Sequence, residues 1–261
     1  MFRLFAFIVV ALAIATETVA ALPPGTRIVG GRDVTIAKHP HQVSLRYKTC
    51  DECTFLHSCG GVIYSEQVIL TAAHCVYKRE DHDLIVVAGT DNRSGSDGVV
   101  AVIDKIVIHE EYNPALTEND VAVLFLGTPI QLNGFTTKAA ELAKEVPKAG
   151  STAWVTGWGT TTEGGANSFK LQEAEVKVID QDVCNDAYGF GRITENMLCA
   201  GAVGGGRDAC QNDSGGPLMS NGSLIGIISW GTGCARPEYP GVYVNVANSR
   251  PWIEETVKVN L

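Results

Sequence analysis

Positive charge is in short supply in this 261-residue chain, where 20 Lys and Arg face 29 Asp and Glu for a net charge of −9. Such a surface offers no general attraction to phosphate backbones or anionic lipid, so nucleic-acid and membrane-surface roles lose their electrostatic basis. Long apolar runs are scarce as well. The longest, twelve residues from Leu4 to Ala15, falls short of the about 20 needed to span a bilayer. Charged residues make up only 19% of the chain against 45% apolar, which excludes a disordered chain and supplies a core. Internal repeats, low-complexity segments and charge runs long enough for an interaction tail are also missing.

What is present begins with Arg3, the apolar run and the small-residue stretch Thr18-Val19-Ala20-Ala21, which together read as a secretory signal over 1–20. Export places the eight cysteines in an oxidising compartment and favours disulfides, although eight cysteines allow 105 pairings and spacing does not choose among them. A zinc site at Cys50, Cys53, His57 and Cys59 lacks the rest of a ligand set at finger spacing. A Pro/Gly linker, Ala21 to Arg27, ends on a basic residue. Beyond it, 28 glycines in the whole chain and short apolar segments predict many strands and turns, as in sandwiches or barrels. Leu84–Val87, Val99–Ile108, Ala153–Val155, Leu224–Trp230 and Val242–Val246 are such segments. Two stretches read as helix. One is a weak candidate over Phe135–Lys144; the other runs from a Ser249 cap through Pro251 to Lys258, with Trp252, Ile253, Thr256 and Val257 on one face.

Three segments carry chemistry. In Asp213-Ser214-Gly215-Gly216-Pro217 the glycines leave the serine open to a bulky substrate, as a nucleophile requires, although such a turn on its own is also an ordinary turn. An α/β-hydrolase elbow is excluded, because it calls for glycine where Asn212 stands and a histidine after the serine, and none follows Ser214. Upstream, Thr71-Ala72-Ala73-His74-Cys75 sets a histidine beside a cysteine that could clamp it, where a plain core histidine is the competing reading. Asn119-Asp120-Val121-Ala122 sets an acid against an apolar strand, where it needs a cationic or hydrogen-bonding partner. His74 is the natural one.

Taken jointly, in the order His, Asp, Ser, these segments resemble the trypsin-like serine proteases of the chymotrypsin family. The resemblance runs from Arg27-Ile28-Val29-Gly30-Gly31 to Trp252-Ile253, nearly the whole of the chain after the signal. It implies an all-β fold of two antiparallel six-stranded barrels with a C-terminal α-helix, a 21–27 activation propeptide, and a 28–261 peptidase domain whose lobes meet near 135–150. It implies that Ser214 attacks the scissile carbonyl, His74 shuttles the proton, Asp120 orients His74, and the N–H groups of Asn212 and Ser214 receive the oxyanion. Asp208 matches the base of the primary specificity pocket, Gly231 and Gly241 its walls, and Ser229 the serine beside the buried aspartate. A carboxylate at Asp208 implies cleavage after Arg or Lys, since an unpaired buried charge costs roughly 3–5 kcal/mol. Cleavage after Arg27 would free an Ile28 amine to pair with Asp213, so the full chain is expected to be a zymogen. The resemblance also selects the disulfides Cys59–Cys75, Cys184–Cys199 and Cys210–Cys234, leaving Cys50 and Cys53, whose bridge would close a short and easily strained ring.

The chain departs from the family at Asn212, where the family has glycine. An asparagine keeps the N–H donor and tolerates a left-handed backbone at about 1–2 kcal/mol of strain. This departure is the support for an alternative, a non-catalytic homologue that acts as a binding protein. Asn92, Asn212 and Asn221 head glycosylation sequons, and a glycan at Asn212 would block the site. The stretch Gly89 to Gly98 offers Asp91 and Asp97 but no glutamate, so no metal is expected, and no cofactor. The expectation is therefore a secreted, extracellular, monomeric digestive protease of the invertebrate type. It would act on protein or peptide substrates with Arg or Lys before the cleaved bond, and protein protease inhibitors would be its other partners; no nucleic acid and no membrane are expected.

Overall fold

The structure is a computed structural model that describes residues 28–261. The expected signal over 1–20, the propeptide over 21–27 and Arg27 itself lie outside the described residues. A two-residue strand, β1 (Arg32–Asp33), precedes β2 (Gln42–Tyr47), β3 (Leu56–Ser65), β4 (Val68–Thr71), β5 (Leu84–Ala88), β6 (Val99–Ile108) and β7 (Ala122–Leu126). Strands β2 to β7 form one closed antiparallel barrel in the order β2-β3-β4-β7-β6-β5, shut where β5 pairs back onto β2. A short β8 (Glu141–Leu142) leads to β9 (Thr152–Gly157), β10 (Gln172–Ile179), β11 (Met197–Gly201), β12 (Pro217–Ser220), β13 (Ser223–Trp230) and β14 (Gly241–Asn245). These last six close a second antiparallel barrel, β9-β10-β11-β14-β13-β12, through the β12–β9 pairing. Strand β1 adds to β10, and β8 adds to β13 in parallel.

Alternation explains why these segments curl. In β10, buried Ala174, Val176 and Val178 alternate with half-buried Glu175, Lys177 and Ile179. In β6, Ala101 and Ile103 point inward while Val100 and Val102 face solvent. Closing each sheet around its apolar face removes the unpaired strand edges that an open sheet would expose. Register shifts in β2, β3, β6 and β13 relieve the bending.

The expected strands are all present. Phe135–Lys144, read as a weak helix, contains none. The Asn133 carboxamide oxygen accepts from the N–H groups of Phe135, Thr136 and Thr137, a side-chain turn that competes with helix, and Glu141–Leu142 joins a sheet instead. Three α-helices occur among the described residues, α1 (Ala73–Val76), α2 (Gln181–Tyr188) and α3 (Val246–Asn260), besides single 3-10 turns at Ile36–Lys38 and Asp81–Asp83. The C-terminal helix starts earlier than its sequence suggests. Asn245, not Ser249, caps it by accepting from Asn248, and Pro251 sits inside the helix rather than in its first turn. Its inward face is as expected, with Ile253 and Thr256 buried and Trp252 and Val257 packed against the core. Trp252 also stacks on His109 and donates to Glu110, so the helix that ends the second barrel fastens onto the first.

Four disulfides form: Cys59–Cys75, Cys184–Cys199, Cys210–Cys234 and Cys50–Cys53. The last closes the short ring between the two cysteines the resemblance left over, and no cysteine thiolate remains for zinc among the described residues.

Candidate active site

His74 lies on the single turn α1, directly after β4, and its neighbour Cys75 is bridged to Cys59 on β3. Asp120 enters from the residue before last ahead of β7, after Asn119 turns the chain at a left-handed φ of 51°. The Asp120 carboxylate is 2% exposed and fully engaged. Its Oδ1 accepts from the His74 backbone N–H at 2.8 Å, and its Oδ2 faces His74 Nδ1 at 2.7 Å and accepts from Ser229 Oγ. A carboxylate oxygen only accepts, so His74 carries its proton on Nδ1 and presents a lone pair on Nε2. Ser229 reaches Asp120 from a bulge: Ile228 pairs with Tyr243 and Trp230 with Val242, which leaves Ser229 as the extra residue whose side chain is re-aimed.

Ser214 occupies the tight loop Cys210–Gly216 between the Cys210–Cys234 bridge and β12. Gly215 has a φ of 79°, and a Cβ there would run into Thr71 Oγ1 and the Gly60 carbonyl of the first barrel. That close approach lets the Ser214 carbonyl accept from the Gly60 N–H at 2.7 Å, which seats the serine loop on the opposite lobe. The N–H groups of Asp213, Gly215 and Gly216 all have acceptors, whereas those of Asn212 and Ser214 have none among the described residues. Two unpaired donors on the serine loop, one of them on the serine itself, are groups that can receive an anion. Ser214 Oγ makes no hydrogen bond to His74 Nε2 among the described residues, and such catalytic contacts are often long in enzymes without substrate.

Asn212 takes up the left-handed backbone its sequence position suggests, with a φ of 70°. Its side-chain Nδ2 donates to Asn167 Oδ1 at 3.0 Å, and its carbonyl accepts from His57 Nε2 at 3.0 Å. The role of His57 is not apparent from the sequence, where its short spacing to cysteines suggests only metal binding. Here it is a buried strut: Nδ1 accepts from Ser44 Oγ at 2.8 Å, the ring meets Trp158 edge-on, and burial pushes its pKa down to about 4. A neutral imidazole with its proton on Nε2 satisfies both contacts. No periodicity could have linked it to a loop 155 residues away.

Beneath Ser214 opens a cavity of about 170 Å³, lined by Asp208, Ser214, Ser229, Gly231 and Gly241 among others. Asp208 is 4% exposed, and no Lys or Arg lies within ion-pair distance of it among the described residues. Its carboxylate accepts from the Ala209 N–H at 2.8 Å, more distantly from Ala235 N–H and Tyr243 O–H, and burial pushes its pKa up to about 7. A Cβ on Gly241 would stand 2.6 Å from Asp208 Oδ1, so glycine there keeps the carboxylate open to the cavity. A Cβ on Gly231 would meet nothing closer than 3.7 Å, so that wall owes its openness to the backbone path as well as to the missing side chain.

Asp213 is wholly buried and accepts from the N–H groups of Gly159 at 2.7 Å and Cys210 at 3.0 Å. Burial raises its pKa to about 7, and no cation pairs with it among the described residues. Ile28, also wholly buried, belongs to the same core cluster as Val155 of β9, the strand whose end Gly157 abuts the Asp213 carboxylate. The Val29 carbonyl accepts from the Asp208 N–H, so the segment that starts the described chain touches the pocket loop directly. In the Gly89–Gly98 loop, Asp91 accepts from the Ile36 N–H and ties the loop to its surroundings, while Asp97 accepts from Thr90 and Asn92 and closes the loop on itself.

Comparison with known proteins points the same way as this geometry. The trypsin family model matches residues 28–253. The chain is 50% identical over 240 residues to trypsin zeta of Drosophila melanogaster, with 88% of this chain and 86% of the relative covered. It is 47% identical over 240 residues to trypsin eta of Drosophila erecta, covering 92% and 93%, and 41% identical over 261 residues to a vitellin-degrading protease of Bombyx mori, covering 97% and 94%. The chain belongs to the trypsin family and is a trypsin-like serine endopeptidase, a hydrolase of protein substrates.

Proposed function

We propose that this enzyme is a secreted digestive protease, made as a zymogen, that cleaves after Arg or Lys once it has been cut after Arg27. The observation that carries the specificity is Asp208, a buried carboxylate without a cation in a cavity it shares with Ser214. A guanidinium or ammonium from substrate supplies the missing partner, and a neutral side chain leaves a charge buried alone at roughly 3–5 kcal/mol.

The chemistry follows from the protonation of His74. Its Nε2 lone pair takes the Ser214 proton as Oγ attacks the carbonyl carbon, and the developing oxyanion falls to the free N–H groups of Asn212 and Ser214. His74 then hands the proton to the leaving amine, which departs as the acyl-enzyme forms. Water, deprotonated by the same nitrogen, releases the acid product and restores Ser214. Asp120 keeps the imidazole in the required tautomer and balances its transient positive charge.

Activation uses the buried pair of positions described above. An Ile28 ammonium freed by cleavage would give Asp213 a cationic partner and fix the loop that holds the oxyanion donors. The 1–20 signal and 21–27 propeptide, cut from a 28–261 domain whose lobes divide near 135–150, complete this reading. No helix among the described residues is long and apolar enough to cross a membrane. The trypsin names of the relatives support general proteolysis, and we assign the enzyme a monomeric state with protein inhibitors as its other partners.

The test is the ratio of kcat/KM for matched peptides with Arg or Phe before the cleaved bond, using protein that begins at Ile28. A preference for Arg of at least about a hundredfold, lost in Asp208→Ser, is expected. Equal turnover of both peptides would overturn the assignment of Asp208.

A further inference from the structure

Beside the pocket lies a charged group that the mechanism does not use. Arg192 sits in the loop between α2 and β11, where Gly189 and Gly191, with φ of 100° and 77°, fold the chain tightly enough for the Arg192 N–H to reach the Gly189 carbonyl. Its guanidinium lies over the ring of Trp230, with Cζ 4.0 Å from the ring centroid, and Tyr188 packs edge-on against the same ring at 4.9 Å. Nη1 donates to the Leu116 carbonyl at 2.6 Å, in the loop that leads to Asp120. The group is therefore backed by an aromatic face and tied to both lobes, yet it is not fully buried.

What it lacks is an acid. No carboxylate lies within ion-pair distance of Arg192 among the described residues. The nearby Glu118 is held instead by Thr194 Oγ1 and Asn196 Nδ2, each at 2.9 Å. Nε and Nη2 have no acceptor among the described residues, and a stacked, pre-oriented fork is the geometry that takes a carboxylate in two parallel bonds.

Stereochemistry says which part of a substrate meets it. Trp230 and Ser214 line the same cavity and Arg192 lies on Trp230, so a peptide whose side chain fills the cavity while its carbonyl meets Ser214 runs out past the guanidinium. Resting on the proposed pocket and oxyanion site, we infer that Arg192 is a specificity-determining residue that selects an acidic side chain two to four residues before the cleaved bond. The preferred substrate is thus an acidic stretch ending in the residue the pocket accepts. Lysine or arginine at the same upstream position is disfavoured by like charge.

The experiment is a peptide panel with Glu, Ala or Lys at each of the three upstream positions and a constant leaving group. It is built on whichever residue the enzyme prefers at the cleaved bond, so an unexpected pocket preference appears on its own and leaves the upstream ratio readable. At one position, Glu should exceed Lys in kcat/KM by about tenfold at low salt, and the ratio should shrink in 0.5 M salt. It should fall towards one in Arg192→Gln and invert in Arg192→Glu, with Arg192→Gln sufficient if the reversed charge prevents folding. Calorimetric binding of the same peptides to Ser214→Ala gives the ranking without chemistry, so an error in the assigned mechanism does not obscure it. A ratio near one at every position, or one unchanged by both substitutions, would overturn the inference.

Discussion

The two barrels contribute to one site in different ways. The first delivers His74 and Asp120 from the ends of regular elements, a one-turn helix after β4 and the entry to β7, clamped by Cys59–Cys75 and joined by two hydrogen bonds of their own. The second delivers Ser214, Asn212 and Asp208 from loops, with Asn212 and Gly215 at left-handed backbone angles, braced by Cys210–Cys234 and hung around the buried carboxylate of Asp213. On the activation proposed above, one half is built in, and the other is conditional on what Asp213 pairs with. In that scheme the second barrel alone would hold the protease inactive while its proton shuttle stays assembled.

The largest expected effect concerns the built-in half. Replacing His74 with Ala should lower turnover on the order of 10⁶-fold, as for a triad that acts as a unit, while leaving the Tm within a few degrees, because the side chain is a third exposed. Steady-state kinetics and calorimetry on the same preparation check both. A loss below a hundredfold would mean that His74 is not the base.

A smaller effect sharpens the conditional half. Asn212→Gly relieves the left-handed strain and removes the side-chain bridge to Asn167, so affinity for a bulky protein inhibitor should rise about tenfold. Inhibition constants for wild type and variant give the comparison. Identical values would show that the asparagine does not narrow the leaving-group side.

The smallest effect is one of pH and stability. Asp213 is held near 7 in the fold and would titrate near 3.8 unfolded, so the stability it lends is present below 3.8 and lost as pH rises through about 7. His57 and His41 act in the opposite sense: held near 4 and 3, they favour the fold above 6.5 and stop doing so as pH falls. An Ile28 ammonium would cancel the Asp213 loss but leave the histidines alone. The Tm of protein beginning at Ile28 should therefore pull ahead of that of the full chain between pH 5 and 7, by about 2–4 °C for each kcal/mol recovered. Parallel calorimetric curves would speak against the pairing.

Much of this was legible in the chain itself. The strands announced themselves by alternation and by the turn residues between them, and the three short motifs around His74, Asp120 and Ser214 named the chemistry. What stayed hidden depended on distant contacts. Asn133 diverts Phe135–Thr137 from a helix through its carboxamide, and Asn245 moves the start of α3 ahead of Ser249. His57 supports the Asn212 carbonyl across the interface between lobes, and Arg192 meets Leu116 and Trp230 only once both barrels are closed. Local propensity has no access to such partners, which tertiary structure alone brings together.

The difference between the halves is tested most directly by the rate at which a fluorophosphonate labels Ser214 before and after cleavage at Arg27. It should be followed together with the NMR signal of the His74 Nδ1 proton. Labelling should accelerate about a hundred- to a thousandfold on cleavage, the value of a completed oxyanion site, while the His74 signal stays in place because its bond to Asp120 is already formed in the full chain. Equal labelling rates in the two forms, or a His74 proton that appears only after cleavage, would contradict the division between a built-in and a conditional half.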